Sequence, residues 1–291
     1  CRWSSSSGAG RANSISCDLS PLSGLTQLSH LWLHDNNIRD IQPLVNNSGL
    51  GADDFVELTS NPLNYKAINT DIPILLARSV TVDFDDRTPT TLLKISGDGQ
   101  SSWPGFTLTE PFVVKVLDEN GSVFEGVPMT FSILDGGGSV DVGSTKTDLN
   151  GFAESTLTLG PSPGVNTVIV AAKEISTYET FTALASYPVI EDILYFMDDA
   201  VMDERLFGIG SGRSAERRMN AVYEKLEEAD RLIEEELIEE AYGQLREVYR
   251  RTDGESRPPD FVAGLAALEL AERIQYLANY LIEELGDIIE E

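Results

Sequence analysis

The sequence predicts a multidomain chain with three fold classes in series: a short solenoid end of the α/β class, an all-β sandwich and a small all-α helical bundle. Apolar positions near the N terminus repeat at a step of about 25 residues, which is typical of a solenoid. Short alternating runs between turn signals fill the middle of the chain, and apolar residues three and four apart fill its end. With 291 residues, the chain has room for two or three such domains.

The first element is residues 25–44, whose apolar residues and asparagine follow the pattern L-x-x-L-x-x-L-x-L-x-x-N-x-I-x-x-I-x-x-L. This is the spacing of a leucine-rich repeat, a unit that buries its apolar face only by stacking on neighbours. The matching residues are Leu25, Leu28, Leu31, Leu33, Asn36, Ile38, Ile41 and Leu44. A second repeat contains Val56, Leu58, Asn61 and Leu63. We expect Asn36 and Asn61 to hydrogen-bond the backbone in the turn after each strand.

The two ends of this solenoid depart from the repeat. A third strand at residues 80–82 lacks the asparagine, and it predicts the terminal turn. At the other end, Gly8 and Gly10 stand where a strand would need leucines. We therefore interpret residues 1–12 as a degenerate or disordered start, and residues 13–86 as leucine-rich repeats with a C-terminal cap.

The alternation of side chains along a strand predicts a candidate binding face. If Leu31 and Leu33 point into the core, the residues between them point to the concave face. The predicted face consists of His30, Trp32, His34, Phe55, Glu57, Thr59, Thr81 and Asp83. Stacked parallel strands would place Trp32 beside Glu57.

The same stacking would place His30 beside Phe55, and it would align Glu57 with Thr81 and Thr59 with Asp83. An exposed tryptophan flanked by histidine and glutamate is a candidate recognition patch for a protein or a sugar. The alternative is that the tryptophan merely covers the face of a shortened solenoid. The two histidines are four residues apart on one strand, about 13 Å, which is too far to share a zinc ion. We predict no metal and no cofactor.

Residues 13–86 resemble bacterial leucine-rich repeat proteins of the internalin-like type. That resemblance implies a concave face that binds host or neighbouring surface proteins. With so few repeats, the face would be small here.

Residues 90–186 carry the second element, a series of short alternating runs that predicts a β-sandwich. The runs are Leu92–Ile95, Phe112–Leu117, Val127–Leu134, Phe152–Leu159, Thr167–Ala172 and Thr180–Ala185. Residues 88–90 look like a linker before it. Asn-Gly pairs at Asn120 and Asn150 supply the positive φ angles that tight turns need. The segment has no histidine, so it offers no nucleophile with a histidine base.

The strings PFVVKVLDENGSVFEGVPMTFSI, TKTDLNGFAESTLTLG and TVIVAA resemble the bacterial Ig-like domain of group 1, the module repeated in intimin and invasin adhesins. The resemblance implies a seven-stranded sandwich that serves as a rigid spacer and sometimes as an adhesive tip. We expect this module to pack end-on against the solenoid cap.

Residues 189–291 switch to the helical period. We expect a first helix over roughly 189–206, followed by helices with apolar stripes. The stripe residues are Met219, Val222, Leu226, Ala229 and Ile233, then Leu237, Ala241, Leu245 and Val248, and finally Leu265, Leu268, Ala271, Ile274, Leu277, Leu281 and Leu285. Short connections between them predict a small bundle. The clustered acids Asp198, Asp199, Asp203 and Glu204 are either a cation site or, as we favour, ordinary helix-end charge.

The residues Leu226, Ala229, Ala241 and Leu245, with the run 268–277, resemble the small helical module called FIMAH, which is found at the C terminus of large secreted bacterial and archaeal proteins. The resemblance implies a place at the C terminus of a secreted protein more than it implies an activity.

The composition of the chain limits the kinds of partner that we expect. A net charge of −27 and a pI near 4.3 argue against nucleic acid and anionic membranes as partners. No apolar run approaches the length of a membrane span. Because the chain starts with Cys1 and not with methionine, we expect a fragment or a processed chain. Whether Cys1 and Cys17 form a disulfide stays open.

We therefore predict a non-catalytic, monomeric bacterial protein, extracellular or at the cell surface by family resemblance. It would bind a surface protein or glycan of another cell or of the matrix. The alternative is an accessory region of a larger extracellular enzyme whose catalytic domain lies upstream. The chain itself is not predicted to be an enzyme, because its only two histidines share one strand and no acid/base or metal cluster accompanies them.

Overall fold

A computed structural model describes residues 18–254 and 260–285. They fall into two compact units, with the boundary between Ser186 and Tyr187. The degenerate start predicted for residues 1–12 and both cysteines lie outside the described residues.

In the first unit a short 3₁₀-helix, Ser20–Leu22, precedes a three-stranded parallel sheet in the order β1–β2–β3. The strands are β1 (His30–Trp32), β2 (Phe55–Glu57) and β3 (Thr81–Asp83). Helix α1 (Gln42–Asn46) lies between β1 and β2, and helix α2 (Ile72–Ala77) lies between β2 and β3. Proline occupies the first turn of both helices, where its missing N–H costs nothing.

Buried aliphatic residues alternate with more exposed ones along β1 and β2. Leu31, Leu33, Val56 and Leu58 are all less than 5% exposed and join one hydrophobic core. Asn61 is also buried, and its side-chain amide donates to the Leu33 and Leu58 carbonyls at 2.8 and 2.9 Å.

Asn36 occupies the corresponding place after β1. Its amide donates to the carbonyls of Leu33 and His34, both at 2.9 Å. The predicted backbone hydrogen bonds of Asn36 and Asn61 are therefore confirmed.

The register of the third strand corrects one prediction. Thr81 lies opposite Phe55, and Asp83 lies opposite Glu57. The expected alignment of Glu57 with Thr81 is therefore wrong by two residues. The step from β2 to β3 is 26 residues rather than the 24 assumed, one more than the 25 between β1 and β2, and this segment contains a π-helical turn, Ala67–Asp71, before α2. An even shift keeps the same residues on the same face.

Ten strands follow, arranged in a three-stranded sheet β10–β6–β4, a five-stranded sheet β5–β13–β12–β7–β9 and a two-stranded ladder β11–β8. Their bounds are β4 (Pro89–Ser96), β5 (Gln100–Ser102), β6 (Phe112–Asp118), β7 (Pro128–Asp135), β8 (Ser139–Val140), β9 (Ser144–Lys146), β10 (Phe152–Ser155), β11 (Leu157–Thr158), β12 (Gly164–Ala172) and β13 (Tyr178–Ala185). The described elements of this region are all strands, as predicted. The expected linker at residues 88–90 is wrong, because β4 already begins at Pro89, which pairs with Asp118.

The strands share their core with the first sheet. Leu63 and Tyr65, from the segment after β2, belong to the same cluster of buried residues as Phe124 and Val127. The rings of Tyr65 and Phe124 lie 6.3 Å apart, and the Tyr65 amide donates to the Glu125 carbonyl at 2.9 Å. Residues 18–186 therefore form one packed body.

We call the contact between the first sheet and the sandwich, formed by Leu63 and Tyr65 with Phe124 and Val127, the joint. Arg87 also lies in the joint. Its Nε donates to Asp118 Oδ2 at 2.7 Å, and its other nitrogens donate to the carbonyls of Leu63 and Val123. Its guanidinium also lies 4.8 Å from the centroid of the Phe124 ring. The side chains are only 10% (Arg87) and 1% (Asp118) exposed, so this ion pair is shielded from water.

The second unit consists of helices α3 (Ile190–Met202), α4 (Arg213–Glu234), α5 (Ile238–Tyr249) and α6 (Ala267–Tyr280), with a final π-helical turn, Leu281–Leu285. Their apolar faces supply the core: Ile193, Met197, Val222, Leu226, Ala229, Ala241, Leu245, Val248, Leu270, Ile274 and Leu277.

Two features of this unit correct the sequence predictions: the first concerns its all-α class, and the second concerns three residues assigned to its apolar stripes. First, strands β14 (Phe207–Gly208) and β15 (Val262–Ala263) form an antiparallel pair. Second, Leu237, Leu265 and Leu268 are exposed, at 41%, 92% and 64%. Leu237 and Leu265 precede their helices, and Leu268 is two residues, about 200° of helical rotation, from the buried Leu270.

Candidate functional site

The candidate site is the outward side of the first sheet, which we call the open face: the outward side chains of β1, β2 and β3 with those of His34 and Thr59. Strand pairing sets its side chains in rows. One row crosses the sheet as His30, Phe55 and Thr81, and the next as Trp32, Glu57 and Asp83. The predicted placement of Trp32 beside Glu57 and of His30 beside Phe55 is confirmed.

Three aromatic rings meet at one corner of the open face. The rings of His30 and Trp32 stack with centroids 5.7 Å apart and an interplanar angle of 26°. The Phe55 ring lies 6.5 Å from His30 at a tilt of 41°. Trp32 is nevertheless 43% exposed, although the leucine before it in β1 is buried. A large aromatic surface is therefore held at the surface by a well-packed strand.

Polar contacts fix the carboxylate beside this corner. The Nδ1 atom of His34 lies 3.2 Å from Glu57 Oε2. The Thr59 hydroxyl donates to Glu57 Oε1 at 3.4 Å. Glu57 is partly exposed, with 24% of its side chain accessible, so it is oriented by two neighbours and still faces solvent.

The third strand extends the acidic character of the face. Asp83 is exposed and lies in register beside Glu57, while Thr81 is exposed beside Phe55. Beyond the strand, Asp85 Oδ2 accepts a hydrogen bond from the Ser60 amide at 2.6 Å. All eight residues predicted for the face thus lie on or directly after these three strands.

Two residues of this region were missed by the sequence reasoning. Ser29 Oγ is hydrogen-bonded to His30 Nδ1 at 3.1 Å, and Asp85 braces the turn after β2. Continuing the two-residue alternation from Asp83 to Asp85 would have found the second one. The first follows no periodic signal, since Ser29 precedes the strand.

The open face offers ring stacking, hydrogen bonding and an oriented negative charge, which are the means of binding. His30 bonds Ser29, whereas His34 faces Glu57, so the two imidazoles serve separate contacts. Among the described residues, no group of three or more histidine, cysteine, aspartate or glutamate side chains is placed to hold a metal ion.

Three of the four acids in the cluster of the helical unit, Asp198, Asp199 and Asp203, make contacts inside that unit. Asp199 and Asp203 both face Arg205, with the first pair at 2.6 Å. The Tyr223 hydroxyl donates to Asp198 at 2.7 Å, and burial together with this bond raises the pKa of Tyr223. These contacts agree with the interpretation of the cluster as helix-end charge.

Within the described residues, no helix combines the length and the apolar character needed to cross a membrane. A scan against protein-family models finds no match for this sequence, and a search of curated proteins also finds none.

Solved structures give partial matches. The D00–D0 domain of intimin is 20% identical, with a TM-score of 0.26 over 36% of this chain and 52% of that one. Domains 4 and 5 of the S-layer protein SbsC are 15% identical, with a TM-score of 0.28 over 37% and 57%. The Yersinia pseudotuberculosis adhesin InvE is 19% identical, with a TM-score of 0.27 over 38% and 34%.

This chain thus spans between about a third and just over half of the length of those structures. At TM-scores this low, the likeness carries no argument about function.

Proposed function

We propose that this chain is a non-catalytic binding protein of the bacterial surface or secreted kind, which attaches to a protein or glycan of another cell or of the matrix. In this proposal residues 13–86 end a leucine-rich repeat solenoid and carry the binding face. Residues 90–186 act as an Ig-like spacer, and residues 189–291 form a FIMAH-like end piece. The place of action is extracellular or at the cell surface.

The observation that carries the proposal is the half-exposed Trp32, stacked on His30 and aligned with the oriented carboxylate of Glu57. Aromatic residues of this kind supply much of the binding energy at protein interfaces, and sugars also stack on them. A rigid sheet beneath them means that little conformational entropy is lost when a partner binds.

Left-handed backbone positions that recur around successive strands support the repeat assignment. Asp35 and Ser60 are 25 residues apart and share a left-handed backbone, with φ of 52° and 58°. Asp53 and Ser79 share another left-handed position, at 73° and 64°, before β2 and β3. A turn geometry that recurs at the repeat length is what a stacked solenoid requires.

The spacer role is supported by the joint between the sheet and the sandwich. The Arg87–Asp118 pair and the packing of Tyr65 on Phe124 fix the open face to the body that carries it. A binding face on a rigid stalk can be presented at a distance from its attachment point without losing its orientation.

The experiment is a pull-down from cell-surface extracts together with a glycan panel. The full chain is compared with the double variant Trp32→Ala/Glu57→Ala. We expect binding by the full chain and its loss in the variant, because both the aromatic surface and the aligned charge are removed.

A matched control removes the same residue classes from the sandwich, Tyr178→Ala/Glu154→Ala, where both side chains are exposed. The control should bind like the full chain. Binding that survives in the Trp32/Glu57 variant would move the site away from the open face and refute this part of the proposal.

A further inference from the structure

We infer that the partner of the open face is a cationic, arginine-bearing segment of a protein. The inference rests on the proposed binding function and adds the chemistry of the partner. An arginine guanidinium lies over the Trp32 ring in this arrangement, and its charge faces the row formed by Glu57 and Asp83.

Charge is the first reason. The segments that form the open face, residues 29–34, 54–59 and 80–86, contain no lysine and no arginine. They do contain Asp54, Glu57, Asp83, Asp85 and Asp86. A net charge of −27 adds a long-range field that attracts cations and repels acidic partners.

The spacing of the row is the second reason. Trp32, Glu57 and Asp83 sit on adjacent parallel strands in direct register. Neighbouring strands are about 4.8 Å apart, so Glu57 stands about 5 Å from Trp32 along the row and Asp83 about 10 Å. A cation over the tryptophan ring therefore has one carboxylate on the adjacent strand and a second carboxylate one strand further along the row.

Arginine suits this geometry better than lysine. Its planar guanidinium stacks on an aromatic ring and presents a fork of N–H donors to a carboxylate at the same time. Glu57 has the capacity to accept them, because His34 and Thr59 use one contact on each oxygen and a carboxylate has about four lone-pair sites.

A neutral sugar fits only part of this face. It can stack on Trp32 and His30, but it gains no ion pair from Glu57 or Asp83. Because those acids repel one another when nothing binds between them, a cation relieves a cost that a neutral ligand leaves in place. The charge pattern thus favours a basic peptide over a glycan.

The test mixes the full chain with a dye-labelled, end-capped peptide that carries arginine at alternate positions. Fluorescence anisotropy of the dye measures the binding of the peptide. The reference peptide carries citrulline in place of each arginine, which keeps the shape and removes the charge. We expect the arginine peptide to bind at least about tenfold more tightly than the citrulline peptide. Raising the salt from about 50 mM to about 500 mM should weaken it, because exposed charges are then screened.

Variants locate the interaction. Trp32→Ala should weaken binding about tenfold, and Glu57→Gln or Asp83→Asn about three- to tenfold each. The control Glu154→Gln removes the same charge from an exposed position on β10 of the sandwich, and it should change the affinity less than twofold. Far-ultraviolet circular dichroism should show that all four variants are folded.

Each contrary outcome has a separate meaning. Equal binding of both peptides, or equal losses in Glu57→Gln and Glu154→Gln, would overturn the arginine assignment. Neutral glycan binding that needs Trp32 but ignores salt, Glu57 and Asp83 would overturn it while keeping the open face as the site. Failure of every peptide and glycan to bind at about 1 mM would overturn both the inference and the proposed function.

Discussion

Two asparagines with the same role differ in their burial, and that difference determines what each contributes. Asn61 is 5% exposed, and its side chain bonds backbone groups on both sides, accepting from the Ile38 amide at 3.0 Å and donating to the Leu33 and Leu58 carbonyls. Asn36 is partly exposed, and its bonds within the described residues go to carbonyls of its own turn.

We expect Asn61→Ala to lower the free energy of unfolding by about 2–4 kcal/mol, because backbone groups in the core are left unpaired. Asn36→Ala should cost about 1 kcal/mol or less, since water can replace its amide. Urea denaturation of the two variants measures both values. Similar losses at the two positions would show that stacking, and not the bridging bond to Ile38, holds these turns.

The protonation of Tyr65, which lies in the joint, is coupled to the stability of the fold. Burial, with the hydrogen bond that its hydroxyl donates to Glu174 Oε1 at 2.6 Å, raises the pKa of Tyr65 to about 12. In the unfolded chain a tyrosine titrates near pH 10. The folded pKa is the higher one, so the stabilisation is fully present below about pH 10 and is lost as the pH rises through about 12.

Tyr65→Phe should therefore lower the free energy of unfolding by about 1–2 kcal/mol at neutral pH, because a bond to a carboxylate is removed. The difference between the original chain and this variant should shrink from about pH 10 upward. Urea denaturation at several pH values measures it. Tyr178→Phe, at an exposed tyrosine, is the control and should show no such trend. A constant difference at all pH values would refute the coupling.

At the scale of elements, the sandwich and the first sheet are joined by one buried cation. Arg87 bonds Asp118, and Asp118 in turn accepts the amides of Asn120 and Ser122 in the turn that follows β6. One carboxylate thus shapes a β-turn and anchors the neighbouring element.

We expect Arg87→Met to destabilise the chain by about 3–5 kcal/mol, because it leaves the Asp118 carboxylate buried without its charge partner. Arg39→Met is the matched control. Arg39 also crosses the joint, to Glu125 at 3.3 Å, but both side chains are more exposed, and its loss should cost about 1 kcal/mol. Denaturation followed by tryptophan fluorescence measures both. The double variant Arg87→Met/Asp118→Asn should recover part of the loss, and equal effects of the two single variants would contradict the assignment.

The β14–β15 pair depends on a glycine. A Cβ atom on Gly208 would lie 1.9 Å from the carbonyl oxygen of Ala215 in α4, so the strand can approach this helix only without a side chain. Gly243, in the middle of α5, has open space around its Cβ position.

Gly208→Ala should therefore destabilise the helical unit by about 2 kcal/mol, since the strand must move away from the helix. Gly243→Ala should stabilise it by about 0.5–1 kcal/mol, because alanine favours the helix and meets no neighbour. Thermal unfolding followed by circular dichroism distinguishes the two. The same sign for both substitutions would show that the close approach at Gly208 does not determine stability.

These elements also show what the sequence could reveal. The two-residue alternation identified the open face, because a slip of one residue would turn every side chain to the other side. The 25-residue step between matching residues identified the pairing of Trp32 with Glu57. Neither signal could reveal that the step from β2 to β3 is 26 residues, in a segment that contains a π-helical turn. Strands β5, β8 and β9 escaped detection because their short polar sequences have no apolar alternation. The bond from Arg87 to Asp118, 31 residues later, has no local signal at all.

At the scale of the whole molecule, charge is distributed unevenly. Residues 191–291 carry 27 acids and 11 bases, a net of −16, whereas the longer N-terminal part has a net of −11. Repulsion among unpaired acids opposes the compact state, and the density of such charge is greater in the helical unit. Its ion pairs, such as Arg231 with Glu228 and Glu235, lie on the exposed surface and offset little of it.

Salt should therefore stabilise the two units unequally. Between about 10 mM and about 0.5 M sodium chloride, the Debye length falls from about 30 Å to a few Å, which screens the repulsion. All three tryptophans lie before residue 187, so their fluorescence follows the first unit alone, while far-ultraviolet circular dichroism is dominated by the helices. We expect the midpoint temperature of the helical transition to rise by about 3–8 °C and that of the tryptophan transition to rise by less.

Choline chloride should act like sodium chloride, because screening does not depend on the identity of the cation. A rise seen only with sodium would indicate bound ions instead, and equal shifts of both transitions would show that the excess acidity of the helical unit does not limit its stability.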